Sequence, residues 1–265
     1  IIKAAAEGKI ECLVLVGADP LADFPDHDLA KRGLAGARRV VAVDTFLNAS
    51  TQRAGVVLAA AGYAEKSGTH SNLEGRVTNL AREVTPAGNS RADWMIAAEL
   101  ALELGSDLGY STSADITADI AEHVSGYAGI ASAAGDGVLT GVNPDLPALD
   151  RPEVLVPERN AYDFRLVVSR VLYDKAVGTQ QSPSLAHLAR GAAVHVHPLD
   201  LERVGTTDGR DVRVVSTRTS IVLRAVADAT VIRGTAWVPF NQPGPNVGEL
   251  IDCFASVNDV RIETL

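Results

Sequence analysis

The first hundred residues alternate between short apolar runs and stretches with helical spacing. Residues 10–16 (Ile10-Glu11-Cys12-Leu13-Val14-Leu15-Val16) form an apolar run closed by Gly17, which reads as a buried strand of the parallel type. Gly17-Ala18-Asp19-Pro20 is turn chemistry, and Asp26 is placed to cap a helix over 27–35. Residues 39–44 give a second strand, 45–53 a short helix and 56–58 a third strand. This alternation predicts a Rossmann-like parallel sheet with right-handed crossovers. A helix over 90–104, capped by Ser90 or Asn89 and ended by Gly105, keeps Ile96, Leu100 and Leu104 at helical spacing. Another is predicted over 114–124, with Ser113 as its cap.

The pattern then changes. Glycine, proline, asparagine and aspartate recur through 125–160, which reads as a linker with little regular structure. From 164 onward the period switches to two, with strands predicted at 164–172, 195–197, 211–216, 221–226 and 235–238. Several short strands without a long helix suggest a closed barrel. The expected fold class is therefore α/β: a Rossmann-like domain over 1–125, a linker over 126–162 and a mostly β domain over 163–265.

Composition narrows the function. A net charge of −9 over 265 residues argues against a nucleic-acid partner, which requires a basic face, and against an anionic membrane surface. No stretch approaches the ~20 apolar residues of a spanning helix. Aromatic residues are only 5% of the chain, so the core must be built from Ala, Val, Leu and Ile. The two cysteines, Cys12 and Cys253, make neither a disulfide framework nor an iron–sulfur site, and a reducing cytoplasm is expected. The chain opens at Ile1 without an initiator Met, as a piece of a longer protein would.

Candidate chemistry is sparse. The turn at Asp19 lies where α/β sheets bind ligands, but it lacks the G-x-G-x-x-G spacing, and a plain strand-to-helix turn is expected. His195 and His197 alternate on one predicted strand face, a geometry that can bind metal. With no third ligand nearby, a half-exposed barrel pair is the better reading. His123 and His187 have less claim. No nucleophile motif such as G-x-S-x-G occurs, and Asp26 and Asp28 suit a helix N-terminus. Three polar loops remain: Gly68–Arg76, 178–184 and 241–246, rich in amides, hydroxyls and glycines. Each could hold a backbone in a fixed shape or approach a large polar ligand.

Two sets of residues carry a resemblance. Ala64-Glu65-Lys66-Ser67-Gly68-Thr69, Asn72-Leu73-Glu74-Gly75-Arg76, Pro86-Ala87-Gly88 and Arg91-Ala92-Asp93-Trp94 are similar to the late α/β region of the molybdopterin oxidoreductase superfamily. Ser182 through Leu188, His197-Pro198-Leu199-Asp200, Asp208-Gly209-Arg210-Asp211-Val212 and Val238-Pro239 resemble its carboxy-terminal double-psi barrel. Within the superfamily, the closer resemblance is to the G subunit of NADH–quinone oxidoreductase, respiratory complex I.

That resemblance implies a structural segment supporting electron transfer from NADH to quinone, with no catalytic, cofactor-binding or metal-ligating residue of its own. Iron–sulfur clusters would lie in an amino-terminal region outside this chain. The expected partners are other subunits of the peripheral arm, on the cytoplasmic side of the membrane without insertion into it. On this reading Gly68 and Gly75 allow tight backbone paths, Glu74 and Arg76 pair locally or Arg76 bridges to a distant loop, and Trp94 packs its helix against the sheet. The alternative is the cofactor-embracing end of a true molybdopterin oxidoreductase, formate dehydrogenase-like, whose 178–184 and 241–246 loops grip the pterin nucleotides. A third reading is a nucleotide-binding module with a pocket between the domains.

Overall fold

The structure is a computed structural model that describes residues 1–133 and 155–265. Most of the expected linker lies outside the described residues. In the first half, a short helix α1 (Ile2–Ala6) precedes β1 (Cys12–Val16), α2 (Pro20–Asp23), α3 (His27–Gly36), β2 (Arg39–Asp44) and β3 (Val56–Ala59). The three strands form a parallel sheet in the order β1-β2-β3. Leu13, Leu15, Val40 and Ala42 bury one face against Ala5 and Leu34. Val14 and Val16 on β1 stay exposed, as do Val56 and Val57 on the edge strand β3.

The helix expected at 45–53 is a loop with one 3-10 turn at Thr51–Arg53. Asn48 explains the difference. Its side-chain oxygen accepts from Ser50 N (3.0 Å) and Thr51 N (2.8 Å), and its amide donates to Asp44 Oδ2 (2.9 Å). Such local side-chain bonds compete with helical pairing.

The Gly68–Arg76 stretch is an antiparallel hairpin of β4 (Gly68–Ser71) and β5 (Val77–Leu80), not an open loop. Asn72 shapes its turn by accepting from both Glu74 N and Arg76 N (2.9 Å each), and Gly75 takes the left-handed φ of 71°. Gly68 has no neighbour crowding it and an ordinary strand backbone, so no tight path depends on it. Neither Glu74 nor Arg76 takes part in an ion pair among the described residues. Val77 packs on Ile130 beneath the hairpin, and Ser71 Oγ lies 3.1 Å from the Tyr127 hydroxyl.

Next come α4 (Asp93–Glu103), α5 (Ser113–His123) and α6 (Ile130–Ala133), the last inside the expected linker. Helix α4 starts three residues later than expected because the Ser90 hydroxyl donates to Ala87 O instead of capping it. No residue of α4 is buried: Trp94 is half-buried, and Met95, Leu100 and Leu102 are exposed. Trp94 therefore does not lock this helix onto the sheet. At α5 the cap is Thr112, one residue before the expected Ser113, in a reciprocal box with Asp115.

The second half is a closed six-stranded barrel, built from β6 (Phe164–Ser169), β7 (Ala193–Val196), β8 (Asp211–Val215), β9 (Ser220–Ala227), β10 (Thr235–Pro239) and β11 (Asp259–Thr264). Its order is β10-β6-β11-β8-β9-β7, with parallel pairs β10/β6 and β7/β9. Alternate residues such as Val212, Val214, Leu223, Val260 and Ile262 point inward around Phe164. Strand β11, which none of the predicted strands covers, closes the barrel against β6 and β8. Two helices interrupt it: α7 (Val177–Gln180) and α8 (Pro198–Val204). His197 caps α8 and lies beyond the end of β7, so it does not alternate on a strand with His195.

The two halves meet at one buried carboxylate. Asp26 is fully buried; its Oδ1 caps α3 by accepting from Leu29 N (2.9 Å). Its Oδ2 accepts from Arg218 Nη1 (2.8 Å) and from Cys253 N (3.3 Å), both in the barrel half. Arg218 also reaches Asp252 (3.1 Å) and Ile251 O (3.0 Å). Beside this knot the halves approach so closely that a Cβ on Gly248 would stand 2.7 Å from Pro25 O. Arg170 adds a second tie, to Asp23 at 3.0 Å and Asp174 at 2.7 Å.

Burial alone would raise the Asp26 carboxyl, but the bonds from Leu29, Cys253 and Arg218 outweigh it and hold it below its ordinary value. A depressed carboxyl stabilises the fold above its unfolded value near ~3.9 and loses that contribution as pH falls through the folded value. Asp26→Ala is expected to cost about 2–4 kcal/mol, combining a lost helix cap with the loss of the buried bonds from Arg218 and Cys253 N, although Arg218 keeps Asp252 and Ile251 O. Urea unfolding should also show a flatter acid limb for the variant below about pH 4. Unchanged stability would mean the two halves are held elsewhere.

Candidate functional site

A cavity of about 520 Å³ opens where the carboxyl ends of β1 and β2 face the barrel loops. That size falls in the ~300–1,000 Å³ range of ligand pockets. On the sheet side, Asp19 follows β1 and turns inward: its carboxylate accepts from the Ser50 hydroxyl (2.5 Å), whose oxygen accepts from Leu21 N (3.0 Å). This bond ties the β1–α2 turn to the Asn48 loop and leaves the cavity floor rigid. It also occupies the carboxylate that would otherwise face a bound anion.

The barrel side is made by α7 and the segment after β10. Gln242 is buried, its amide donating to Tyr173 O (3.0 Å) and accepting from Gly191 N (3.3 Å). Asn241 takes the left-handed φ of 53°, which asparagine tolerates better than most residues. Its side-chain amide is buried and has no hydrogen-bond partner. Across the cavity, His27 Nδ1 is likewise buried without a partner. Both residues line the same cavity. Buried polar atoms are nearly always satisfied, and each orphan costs about 1–3 kcal/mol. Two unsatisfied polar atoms buried in the wall of one cavity mark a place where the fold is not arranged for stability alone.

Charge points to the same class of ligand. Lys31, Arg53 and Lys175 line the cavity with Asp19 as the sole acid, in a chain of net charge −9. Lys31 is partly neutralised by Glu249 at 3.2 Å, whereas Arg53 and Lys175 enter no ion pair among the described residues. Burial pushes the His27 imidazole below its ordinary value and Lys31 adds to this, with Glu249 opposing. His27 is therefore neutral at pH 7, able to donate or accept at Nδ1.

The structure brings together the Asp19 turn, Gln180 and Gln181 of the 178–184 loop, and Asn241, Gln242 and Asn246 of the 241–246 loop. The Gly68–Arg76 hairpin does not line this cavity. His27, Asn48, Gln52, Arg53 and Lys175 do, and no sequence motif marks them. Lys175 stands just outside a loop that its composition singles out, and His27 directly follows the capping aspartate. Elsewhere, His195 Nδ1 lies 3.3 Å from Asp228 and His197 accepts from Leu199 N (3.2 Å). Among the described residues, no group of three His, Cys, Asp or Glu is placed to hold a metal ion. No helix among them is long and apolar enough to cross a membrane.

Comparison with known proteins gives the geometry its context. The molybdopterin oxidoreductase family profile matches residues 1–103, and that of the molydopterin dinucleotide binding domain matches residues 164–260. The chain belongs to the molybdopterin oxidoreductase superfamily. It is 27% identical to the NADPH-Fe(3+) oxidoreductase subunit alpha of Geobacter sulfurreducens, over 99% of this chain and 31% of that protein. It is 26% identical to the F420-dependent formate dehydrogenase 1 subunit alpha of Methanococcus maripaludis, over 90% and 39%. The second G subunit of NADH-quinone oxidoreductase from Rhizobium meliloti is 27% identical, over 91% and 28%.

The chain thus spans about a third of the length of these curated relatives. Acetylene hydratase from Pelobacter acetylenicus shares the fold, with a TM-score of 0.72 at 16% identity, over all of this chain and 46% of that one. Similarity at comparable identity to several superfamily members leaves the resemblance at the superfamily level.

A depressed histidine gives a pH test of the cavity wall. Because His27 binds its proton more weakly when folded, the chain should lose stability as pH falls below about 6.5. Thermal melts across that window should show the loss, and His27→Gln should shrink it. An identical profile for the variant would show that His27 titrates alike in the folded and unfolded chain.

Proposed function

We propose that this chain is the nucleotide-gripping carboxy-terminal part of a molybdopterin oxidoreductase, with the cavity between sheet and barrel as the seat of the cofactor's nucleotide arm. The observation that carries this reading is one cavity lined by amides and by Arg53 and Lys175, neither in an ion pair among the described residues, with the unpartnered His27 Nδ1 and Asn241 Nδ2 buried in its wall. The residues fit the group. Lys175 and Arg53 suit a diphosphate, and the amides of Gln180, Gln181 and Asn241 suit the edge of a base. A bound pterin nucleotide would supply the metal ligation and redox chemistry. The chain's own residues bind the nucleotide, orient it and keep it from bulk water. On this reading the Rossmann-like and double-psi descriptions apply to the two halves, joined by the linker around 126–162.

The reading of the chain as a structural part of the G subunit of complex I has its own support in the similarity to the Rhizobium meliloti protein. In that case the cavity would be an inherited shape, and the chain would brace the peripheral arm beside its partner subunits without a pterin.

Calorimetric titration of the chain with guanosine diphosphate separates the two. Binding that Lys175→Gln weakens about tenfold, the worth of one charge-assisted hydrogen bond, is expected on the nucleotide reading. No binding of any nucleoside diphosphate would favour the structural reading.

A further inference from the structure

A second cavity, of about 610 Å³, lies on the outer face of the barrel. Gln242 lines both spaces, and its bonds to Tyr173 and Gly191 make it a fixed wall between them. The outer cavity offers different chemistry. Its flat side is Trp237, whose indole N–H donates to Ser169 Oγ (2.8 Å), so the ring is held in one orientation. His195 packs against it with ring centroids 4.5 Å apart at a 60° tilt, and is itself held by Asp228. Val226 and Leu188 complete an apolar rim.

Two guanidinium groups line this cavity, Arg190 and Arg224. Neither side chain enters an ion pair or hydrogen bond with any described residue, whereas Arg165, Arg170 and Arg218 are all paired. Asp208, the only acid of the lining, uses one carboxylate oxygen to accept from Ala227 N (2.8 Å), which leaves the other for a ring N–H. Arg224 stands over Gly209, where a Cβ would come 3.1 Å from its Nη2, so the glycine makes room for the guanidinium.

We propose that this outer cavity binds a planar heteroaromatic anion of nucleoside-monophosphate size, its ring against Trp237 and its anionic group between Arg190 and Arg224. The physical reasons are separable. A fixed indole gives a stacking face at little entropic cost, and guanidinium groups recognise phosphate through paired hydrogen bonds. The site is independent of the nucleotide cavity behind Gln242 and of the function proposed for it.

The test uses the 265-residue chain carrying Trp94→Phe, which leaves Trp237 as the one tryptophan. GMP should quench its fluorescence saturably, while guanosine and inorganic phosphate bind at least about tenfold more weakly. Arg190→Gln and Arg224→Gln, both at exposed side chains, should each weaken GMP about tenfold. Lys175→Gln, in the other cavity, should leave the quench unchanged. The proposal is overturned by absence of a saturable quench at millimolar GMP, by phosphate binding as tightly as GMP, or by a Lys175→Gln loss equal to that of Arg224→Gln.

Discussion

The arrangement depends on one buried carboxylate. Asp26 is inaccessible to water and accepts three hydrogen bonds, one from its own helix and two from the barrel half. A lone carboxylate in that position would be costly, so its partners are obligatory. The consequence is geometric. Helix α3 can begin only where Arg218 and the backbone of Cys253 reach its cap, which sets the carboxyl edge of the parallel sheet against the barrel loops. His27, the next residue, is carried into the cavity by the same constraint. The glycine at 248 is what lets the two backbones come that close.

Much of the framework is legible in the sequence because it follows from periodicity. The apolar runs at β1 and β2, the Asp26 cap, and the alternation in β8 and β9 all rest on local patterns that tertiary packing does not override. What escapes is set by side chains acting on the backbone. Asn48 turns an expected helix into a loop, and Asn72 with Gly75 turns an expected loop into a hairpin. Strand β11 does carry a period of two, Val260 and Ile262 inward with Arg261 and Glu263 outward, but charges on its outer face mask it. The site is half visible. Its amide-rich loops stand out by composition, whereas His27, Arg53 and Lys175 belong to it only through the docking of the two halves.

The polar stretch from Gly68 to Trp94 carries the resemblance to the superfamily, yet within this chain it lies away from the cavity. Its hairpin is held by Val77 on Ile130, by the Ser71–Tyr127 contact and by the ion pair of Lys66 with Asp93. Helix α4 beyond it leaves Met95, Leu100 and Leu102 exposed. A family pattern therefore does not by itself locate a ligand: the same residues that identify the superfamily here organise a surface strap.

The acidity of the chain and the cationic lining of its cavities are compatible because they act over different distances. A net charge of −9 governs solubility and long-range association, while fields inside a cleft are set by the few groups that line it. Screening has a length of about 8 Å at physiological salt, so distant surface carboxylates contribute little at the cavity floor. Arg53 and Lys175, without acidic partners among the described residues, dominate there, and Asp19, the one acid of the lining, has a carboxylate oxygen held by the Ser50 hydroxyl. That single hydrogen bond matters beyond its own strength. With one oxygen engaged, Asp19 opposes an anion less than a free carboxylate would, and the amides and cations of the lining outnumber it. The selectivity of the cavity for a polar anionic ligand thus rests on a short-range bond between two loops, each of which is positioned by the sheet beneath it.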